Sequence, residues 1–558
     1  MIKTIYILLF IVLPLNAQWR KGGVEIVDTT ANRNMFLSSQ IVEDGNGGGI
    51  ICWQDGRSGS GYDIYAQRID SNGVIQWQRN GIPICQASLN QSYPRMISDG
   101  EDGAIIAWED DRDTVRTIIY AQKVSHNGEI KWPVNGVRIS NEGGLFVRPV
   151  SDGNGGVIIA WQSVDFVTNH ERVICQRINK YGQKMWGENG VLVNSRLGFI
   201  RSNDVGITSD HKGGAIITWG QENIIYSQRA SANGTILWDT NGIVICNAPG
   251  GRGAVCISSS NNSSAIISWS DPFRDSLKGI YAQRIDSSGN SIWTLNGIFI
   301  GSPGETGGGG GSRRIISDNL GGAFIGYGLK IQRVSFNGEL QFDTAKGRYS
   351  YFPSTNSAMA LDLKNGVINA CESLLPHGDK DVFVNRIDSL GNPLWGNNGI
   401  KLVENPIIQE WAKIISDTKG GAIVVWQDWR AYGDSATTPH VALFAQRVYS
   451  NGVVADVVKE EDTRLLKKIN LYQNYPNPFN PETTISYYIP YYGKAKLLIY
   501  DILGQKINTL IDEYQAEGEH KVIWNGINDS DVQVSSGIYF YQLHFENNLI
   551  TKKFIIVR

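Results

Sequence analysis

Four short stretches place a carboxylate next to a guanidinium: Asp55-Gly56-Arg57, Asp110-Asp111-Arg112, Asp271-Pro272-Phe273-Arg274 and Asp428-Trp429-Arg430. Clustered carboxylates and guanidiniums have the chemistry to bind sugars, peptides or Ca²⁺. Trp429 adds an aromatic face. Each set also has a plain structural reading, in which the Asp caps its loop and the Arg pairs with it. Recurrence favours that plain reading for the pairs, because a catalytic group is needed only once. Trp429 stands outside the recurrence and keeps both readings. The seven histidines share no spacing that would hold a metal, and no GxSxG, HExxH or P-loop pattern occurs. No cofactor is expected, and no metal site beyond structural calcium. A pair of glycosidase carboxylates remains an alternative, since such acids can be distant in sequence.

These stretches sit in a repeat. Residues 97–139 read ISDGEDGAIIAWEDDRDTVRTIIYAQKVSHNGEIKWPVNGVRI, and the chain restates that pattern about eight times. The first apolar run ends at Trp53, Trp108, Trp161, Trp219, Trp269, Tyr327, Cys371 and Trp426. Nine residues before each stands Asp44, Asp99, Asp152, Asp210, Ser260, Asp318, Asp362 or Asp417, followed in most copies by a glycine pair. Asp can bond a turn backbone and Gly can adopt its φ, so the segment predicts strand, turn, strand. A strand such as IYAQR follows, carrying Gln67-Arg68, Gln122-Lys123, Gln176-Arg177, Gln228-Arg229, Gln283-Arg284, Gln332-Arg333, Asn385-Arg386 and Gln446-Arg447. A turn glycine, a tryptophan and usually Asn-Gly complete the unit.

Four short strands, here termed a (RMIS), b (AIIAW), c (IYAQR) and d (IKW…NGVRI), in about 45–58 residues are the pattern of a β-propeller blade. The eighth copy lacks strand d. Residues 18–26, QWRKGGVEI, match that missing strand. A chain whose first strand completes its last blade can close on itself and remove two exposed sheet edges. The expected fold is therefore an all-β closed propeller over residues 18–458, with eight blades. Seven is the alternative, because the sixth and seventh copies are degenerate.

Thirteen of the sixteen tryptophans occupy the repeat positions, which marks them as packing between blades. The recurring basic residue is expected to bond carbonyls or turn carboxylates of the neighbouring blade. Length variation is concentrated in the b–c and d–a loops, notably 301–313 and 427–440. Those loops emerge on one face, and variable loops on a rigid scaffold are where binding is expected.

The formal net charge of −3 offers no electrostatic case for nucleic acid. The six cysteines show no metal spacing and are expected to be buried thiols, with Cys246 and Cys256 the one pair worth checking for a bridge. Residues 1–17 have the charged, apolar and small-residue regions of a secretory signal. No other run approaches the ~20 apolar residues of a membrane span.

The charged stretch 459–468 reads as a linker. Beyond it, alternating strands with turn signals over 469–558 suggest a small Ig-like sandwich. Here NYPNPFNP (474–481), YDILGQ (500–505), WNG (524–526), SSGIY (535–539) and KKF (552–554) closely resemble the type A C-terminal sorting domain of the Bacteroidetes type IX secretion system. The motif positions include Asn474, Pro476, Asn477, Pro478, Gly504, Gly537, Lys552 and Lys553. The resemblance implies export to the periplasm and then passage across the outer membrane with the secretion machinery as partner. The product would be released or held at the surface. Together these features point to a secreted, non-enzymatic binding propeller with an unidentified extracellular ligand. An extracellular polysaccharide hydrolase and a structural or adhesive component are the alternatives.

Overall fold

The computed structural model describes residues 19–27, 38–165, 170–196, 198–250, 252–274, 279–302, 314–327, 330–342, 354–374, 380–403, 408–429, 441–455, 469–489, 493–515, 518–545 and 548–557. The expected leader (1–17), the linker (459–468), Arg430 and most of both long loops lie outside them. The chain divides into two compact units, Met1–Val457 and Val458–Arg558. Both are all-β among the described residues, where no helix is long and apolar enough to cross a membrane.

The first unit holds eight small antiparallel sheets. Seven have four strands and the sixth has three among the described residues. The second sheet shows the plan, with strands a to d at Gln91–Ser98, Ala104–Asp110, Ile118–Val124 and Val137–Arg138. Strand a of each sheet packs beside strand a of the next, from Gln40–Glu43 through to Gln409–Ser416, which in turn packs beside Gln40–Glu43.

The a–b turn explains the recurring Asp. In the second sheet, Asp99 Oδ1 accepts the Glu101 and Gly103 amides, both at 2.8 Å. Gly103 is obligatory because a Cβ there would lie 2.5 Å from the Val124 carbonyl oxygen. The other carboxylate oxygen receives the strand-c cation: Arg68 on Asp44, Arg177 on Asp152, Arg229 on Asp210 and Arg447 on Asp417, at 2.7–2.9 Å. Sequence reasoning placed any such carboxylate in the neighbouring blade. It lies instead in the same sheet, because strands a, b and c are consecutive and antiparallel. The same guanidiniums do reach the neighbouring sheet, through carbonyls: Arg177 to Ala232, Arg229 to Ser287 and Arg386 to Ser450, at 2.9–3.0 Å.

The tryptophans fill the space between sheets. Trp53, Trp108, Trp161, Trp219, Trp269 and Trp426 are wholly buried, and five of them stack on a strand-c tyrosine or phenylalanine at 5.7–6.4 Å. Each indole removes about 150–250 Å² from water, a gross gain of roughly 4–6 kcal/mol before ordering entropy is subtracted. The strand-d tryptophans bond forward: Trp77 Nε1 donates to His126 O, Trp132 to Lys180 O and Trp186 to Ala232 O, all at 3.0 Å.

The eighth sheet takes its outer strand from the N-terminus. Val24–Val27 pairs with Ala442–Val448, with Val24 opposite Ala445. Trp19 Nε1 donates to Ser71 O at 3.1 Å, the bond made by each strand-d tryptophan. Gln446 Nε2 donates to Arg20 O at 2.8 Å, as Gln67 does to Gln78 O at 2.7 Å. Gly23 lies where a Cβ would meet the Trp426 ring at 2.6 Å, as Gly136 does against Trp108.

All six cysteines are free thiols, Cys246 and Cys256 included. Cys256 is partly exposed and the others are buried.

Among the described residues the second unit comprises two antiparallel sheets, one of three strands and one of four. They enclose a core of Leu471, Phe479, Tyr487, Leu497, Trp524, Tyr541 and Phe554 among others.

Candidate functional site

The predicted loop residues are drawn into the sheets. Asp55 is buried, accepts the Trp53 indole at 3.1 Å and pairs with Arg57, whose Nη1 continues to Asn80 O at 2.9 Å. Burial alone would push the Asp55 carboxyl up, but Arg57 and the Trp53 indole hold it below the ordinary range. Asp110 and Arg112 make the same contacts, with the Trp108 indole at 2.7 Å from Asp110 and Asn135 O at 2.9 Å from Arg112. The guanidiniums lie over Tyr65 and Tyr120 at 4.1 and 3.9 Å. In the fifth sheet the pairing is rewired. Asp271 pairs with Arg252 at 3.2 Å, while Arg274 covers Tyr281 and donates to Asn296 O at 2.8 Å. Asp428 accepts the Trp426 indole at 3.1 Å. Trp429 packs against the core between the first and eighth sheets and donates to Glu410 Oε1 at 3.0 Å. Arg57, Arg112 and Arg274 therefore tie the b–c loop to the turn before strand d of their own sheet, whereas Asp271 and Trp429 are held by residues at the start of strand a, and the structure does not bring the sets together into one cluster.

A different set does converge. Strands a of six sheets carry an irregularity near their start, as between Ser92 and Arg95, Leu145 and Arg148, and Glu410 and Lys413. In three of these bulges an aromatic residue takes a positive φ: Tyr93 at 52°, Phe146 at 57° and Trp411 at 60°. Bulky side chains rarely adopt that backbone, and bulges that do so re-aim a side chain. Each strained amide is held by the preceding sheet. Tyr93 N donates to Gln54 Oε1 at 2.8 Å, Phe146 N to Glu109 Oε1 at 2.8 Å and Trp411 N to Glu372 Oε1 at 2.5 Å. Tyr93 and Trp411 are 54% and 45% exposed. They lie at the end of strand a that pairs with the end of strand b, which is the face carrying the b–c and d–a loops.

Two residues further along each strand stands a cation. The register position opposite the residue before each strand-b aromatic holds Gln40, Arg95, Arg148, Gly206, Cys256, Arg314, Ala358 and Lys413 in the eight sheets. Four are basic and none is acidic. They feel one another across the cycle of sheets. Burial first, then the Arg314 and Arg95 guanidiniums, bring Lys413 down to about 7, with Glu372 pulling the other way. Burial and then Arg95 bring Arg148 down to about 10. Arg314 acts in the same direction, against Cys256 and Glu109. Arg95 is likewise lowered by burial and by Arg314. The four cations thus stand at one register level of strands a that pack one beside the next, on the second, third, sixth and eighth sheets. Arg95, Arg148 and Lys413 are half-buried, and Arg314 is exposed.

Sequence reasoning missed this cluster. The signal was present: Tyr93-Pro94-Arg95, Phe146-Val147-Arg148 and Trp411-Ala412-Lys413 set an aromatic two residues before a cation in three of the eight copies.

In the second unit the motif residues are structural. Asn474 is buried and bonds Thr483 Oγ1 at 2.9 Å and Pro476 O at 3.1 Å. Asn477 Oδ1 accepts the Ile555 amide at 2.9 Å, and the peptide bonds preceding Pro476 and Pro478 are cis. Gly504, at φ 77°, closes the turn between Gly493–Tyr500 and Lys506–Gln515. Gly537 opens strand Gly537–Phe545, and Lys552 and Lys553 lie on its neighbour, Asn548–Ile556.

Residues 473–557 match the family described as the secretion system C-terminal sorting domain. This part of the chain is a type IX sorting domain, and the protein is secreted or attached at the outer cell surface. No curated protein matches the chain. Solved structures similar to it include PorZ, an essential bacterial surface component of the type-IX secretion system of Porphyromonas gingivalis. That match has 11% identity and a TM-score of 0.29, covering 91% of this chain and 74% of that one. A polysaccharide lyase of family PL25, an ulvan lyase, matches at 9% identity and a TM-score of 0.41, over 79% of this chain and 97% of its own. The GH93 α-L-arabinofuranosidase of Fusarium graminearum matches at 9% identity and a TM-score of 0.32, over 64% and 92%.

Proposed function

We propose that this protein is a type IX cargo whose first unit is a closed eight-bladed β-propeller acting as an extracellular binding module, followed by an Ig-like sorting domain. Closure is supported by the pairing of Val24–Val27 with Ala442–Val448 and by the Trp19 bond to Ser71. Binding takes place on the face that carries the b–c and d–a loops. Asp55, Arg57, Asp110, Arg112, Asp271, Arg274 and Asp428 frame that face, and the ligand meets the axial opening. One observation carries this reading: scaffold positions recur in nearly every sheet, whereas the aromatic and cationic positions at the opening occur in only some. A feature confined to some copies is not needed to build a sheet. The partner of the second unit is the secretion machinery.

The test is a screen of the full secreted chain against immobilised glycans and peptides. Specific capture of one ligand class supports the reading. No capture from any class would leave a structural or adhesive surface component, and release of new sugar ends from a polysaccharide would replace binding with hydrolysis.

A further inference from the structure

The axial cluster specifies the class of ligand more narrowly. Its cationic register level sets Arg95 on the second sheet and Arg314 on the sixth, opposite one another in the cycle of eight. Arg148 and Lys413 stand on the third and eighth sheets. Like charges brought together in a partly dehydrated space repel, and an anion placed among them relieves that repulsion. Arg95 Nη1 and Arg148 Nη1 donate to the carbonyls of Pro94 and Val147, at 3.2 and 3.1 Å, which fixes each guanidinium against its own bulge. A planar, fixed guanidinium suits a carboxylate or sulfate better than a mobile ammonium does.

The aromatics supply the second half. Tyr93, Phe146 and Trp411 belong to the same three strands as Arg95, Arg148 and Lys413, each two residues nearer the loop-bearing face. Residues two apart on a strand share a side of the sheet, although here the bulge re-aims the first of each pair. The positive φ of each aromatic is held by a hydrogen bond from the preceding sheet, so the ring is set before any ligand arrives. A ring with half its surface exposed, at the opening of a cationic well, offers the flat apolar platform on which the C–H face of a pyranose stacks.

We infer that the axial opening binds an anionic saccharide. The sugar ring rests on Tyr93 and Trp411, and its carboxylate or sulfate is held by Arg95, Arg148, Arg314 and Lys413. This rests on the proposed axial binding site and names its ligand class.

Titration calorimetry on the full chain at pH 6.5 tests it, using oligogalacturonate, a sulfated chondroitin oligosaccharide, neutral maltohexaose and sodium sulfate. The expected result is that at least one acidic oligosaccharide binds ten-fold or more tightly than maltohexaose. Which of the two binds separates carboxylate from sulfate recognition. Arg95→Gln with Arg148→Gln should weaken that binding at least ten-fold. Trp411→Ala should weaken the oligosaccharide while leaving sodium sulfate unchanged. A cooperative melt of the double variant shows that it is folded, and its loss of binding then reports the site.

Cys256, at the same register level, gives a second readout. Iodoacetate should alkylate it faster relative to iodoacetamide in the parent than in Arg148→Gln, and the bound oligosaccharide should protect it. Equal affinity for acidic and neutral oligosaccharides, or unchanged binding in the double variant, overturns the anionic assignment while leaving a binding module in place. Binding of no oligosaccharide overturns the anionic-saccharide assignment whatever the iodoacetate preference, and the wider screen of glycans and peptides then decides whether a binding module stands.

Discussion

Arg447 Nη1 donates to the carbonyl oxygen of Ser71 at 2.7 Å, across 376 positions of sequence. The equivalent bond from Arg229 to Ser287 spans 58. The forward contact that Arg177, Arg229 and Arg386 make between consecutive sheets therefore also joins the eighth sheet to the first.

Arg447 also neutralises the buried Asp417, so removing it leaves an uncompensated carboxylate. Arg447→Met should cost about 3–5 kcal/mol, read from urea midpoints at constant slope. The fifth sheet provides the control. Ser260 stands there in place of the Asp, and Arg284 donates to Ser264 Oγ at 3.2 Å and lies over the Phe336 ring at 3.7 Å, with no carboxylate paired to it among the described residues. Arg284→Met should cost about 1.5 kcal/mol or less. Equal costs would mean that the turn carboxylate does not set the value of this cation.

Trp19 is 3% exposed and bonds Ser71 as its counterparts bond their own neighbours. Trp19→Ala should destabilise by about 3–5 kcal/mol, and Trp77→Ala within the first sheet should also destabilise. An unaltered urea midpoint for Trp19→Ala would show that the eighth sheet is stable without its N-terminal strand.

Lys413 carries a pH signature. Its folded pKa, about 7, lies below the ordinary lysine value, through burial and the nearby Arg314 and Arg95, opposed by Glu372. Between about pH 7 and the unfolded value near 10.4 the unfolded chain holds a proton that the folded one lacks, so Lys413 makes stability rise with pH across that window. Below pH 7 both states are protonated and its contribution is flat. Lys413→Met should abolish this part of the slope in melting temperature. Anion binding at the axis should run oppositely and strengthen as pH falls through 7.

Glu109 Oε1 holds the Phe146 amide from the sheet before it. Glu109→Gln keeps an acceptor of the same length and should cost under about 1 kcal/mol. Glu109→Leu leaves that amide without its acceptor and should cost about 1–3 kcal/mol. Similar costs would show that the bulge does not depend on this hydrogen bond.

The sorting domain gives a cellular prediction. Deleting residues 473–557 should leave the first unit in the periplasm, with loss of the surface and medium fractions on immunoblotting. Unchanged extracellular recovery would show that another segment directs export.

Much of the strand order was legible because it is written repeatedly. The Asp of the a–b turn, the strand-b tryptophan and the Asn-Gly of strand d announce the sheets, and QWRKGGVEI announces the strand that completes the eighth. The axial cluster was not read. Tyr93, Phe146 and Trp411 differ from one copy to the next, and strand a was treated as scaffold throughout. Nothing local brings Arg95 near Arg314, because that proximity arises only when the sheets are disposed about an axis. The Asp and Arg of the b–c loops drew notice for the opposite reason: they recur, and the structure turns them inward onto Tyr65, Tyr120 and Tyr281.

The pairing of Val24–Val27 with Ala442–Val448 bears on the order in which the chain matures. The earlier sheets draw their strands from one continuous stretch and can form as that stretch emerges from a translocation pore. The eighth must wait until strands separated by more than 400 residues share one compartment. Until then the Ala442–Val448 backbone is an open template for any extended chain. The eighth sheet is thus the last of the first unit that can form, and until both ends meet its edge is the part most open to pairing with another chain.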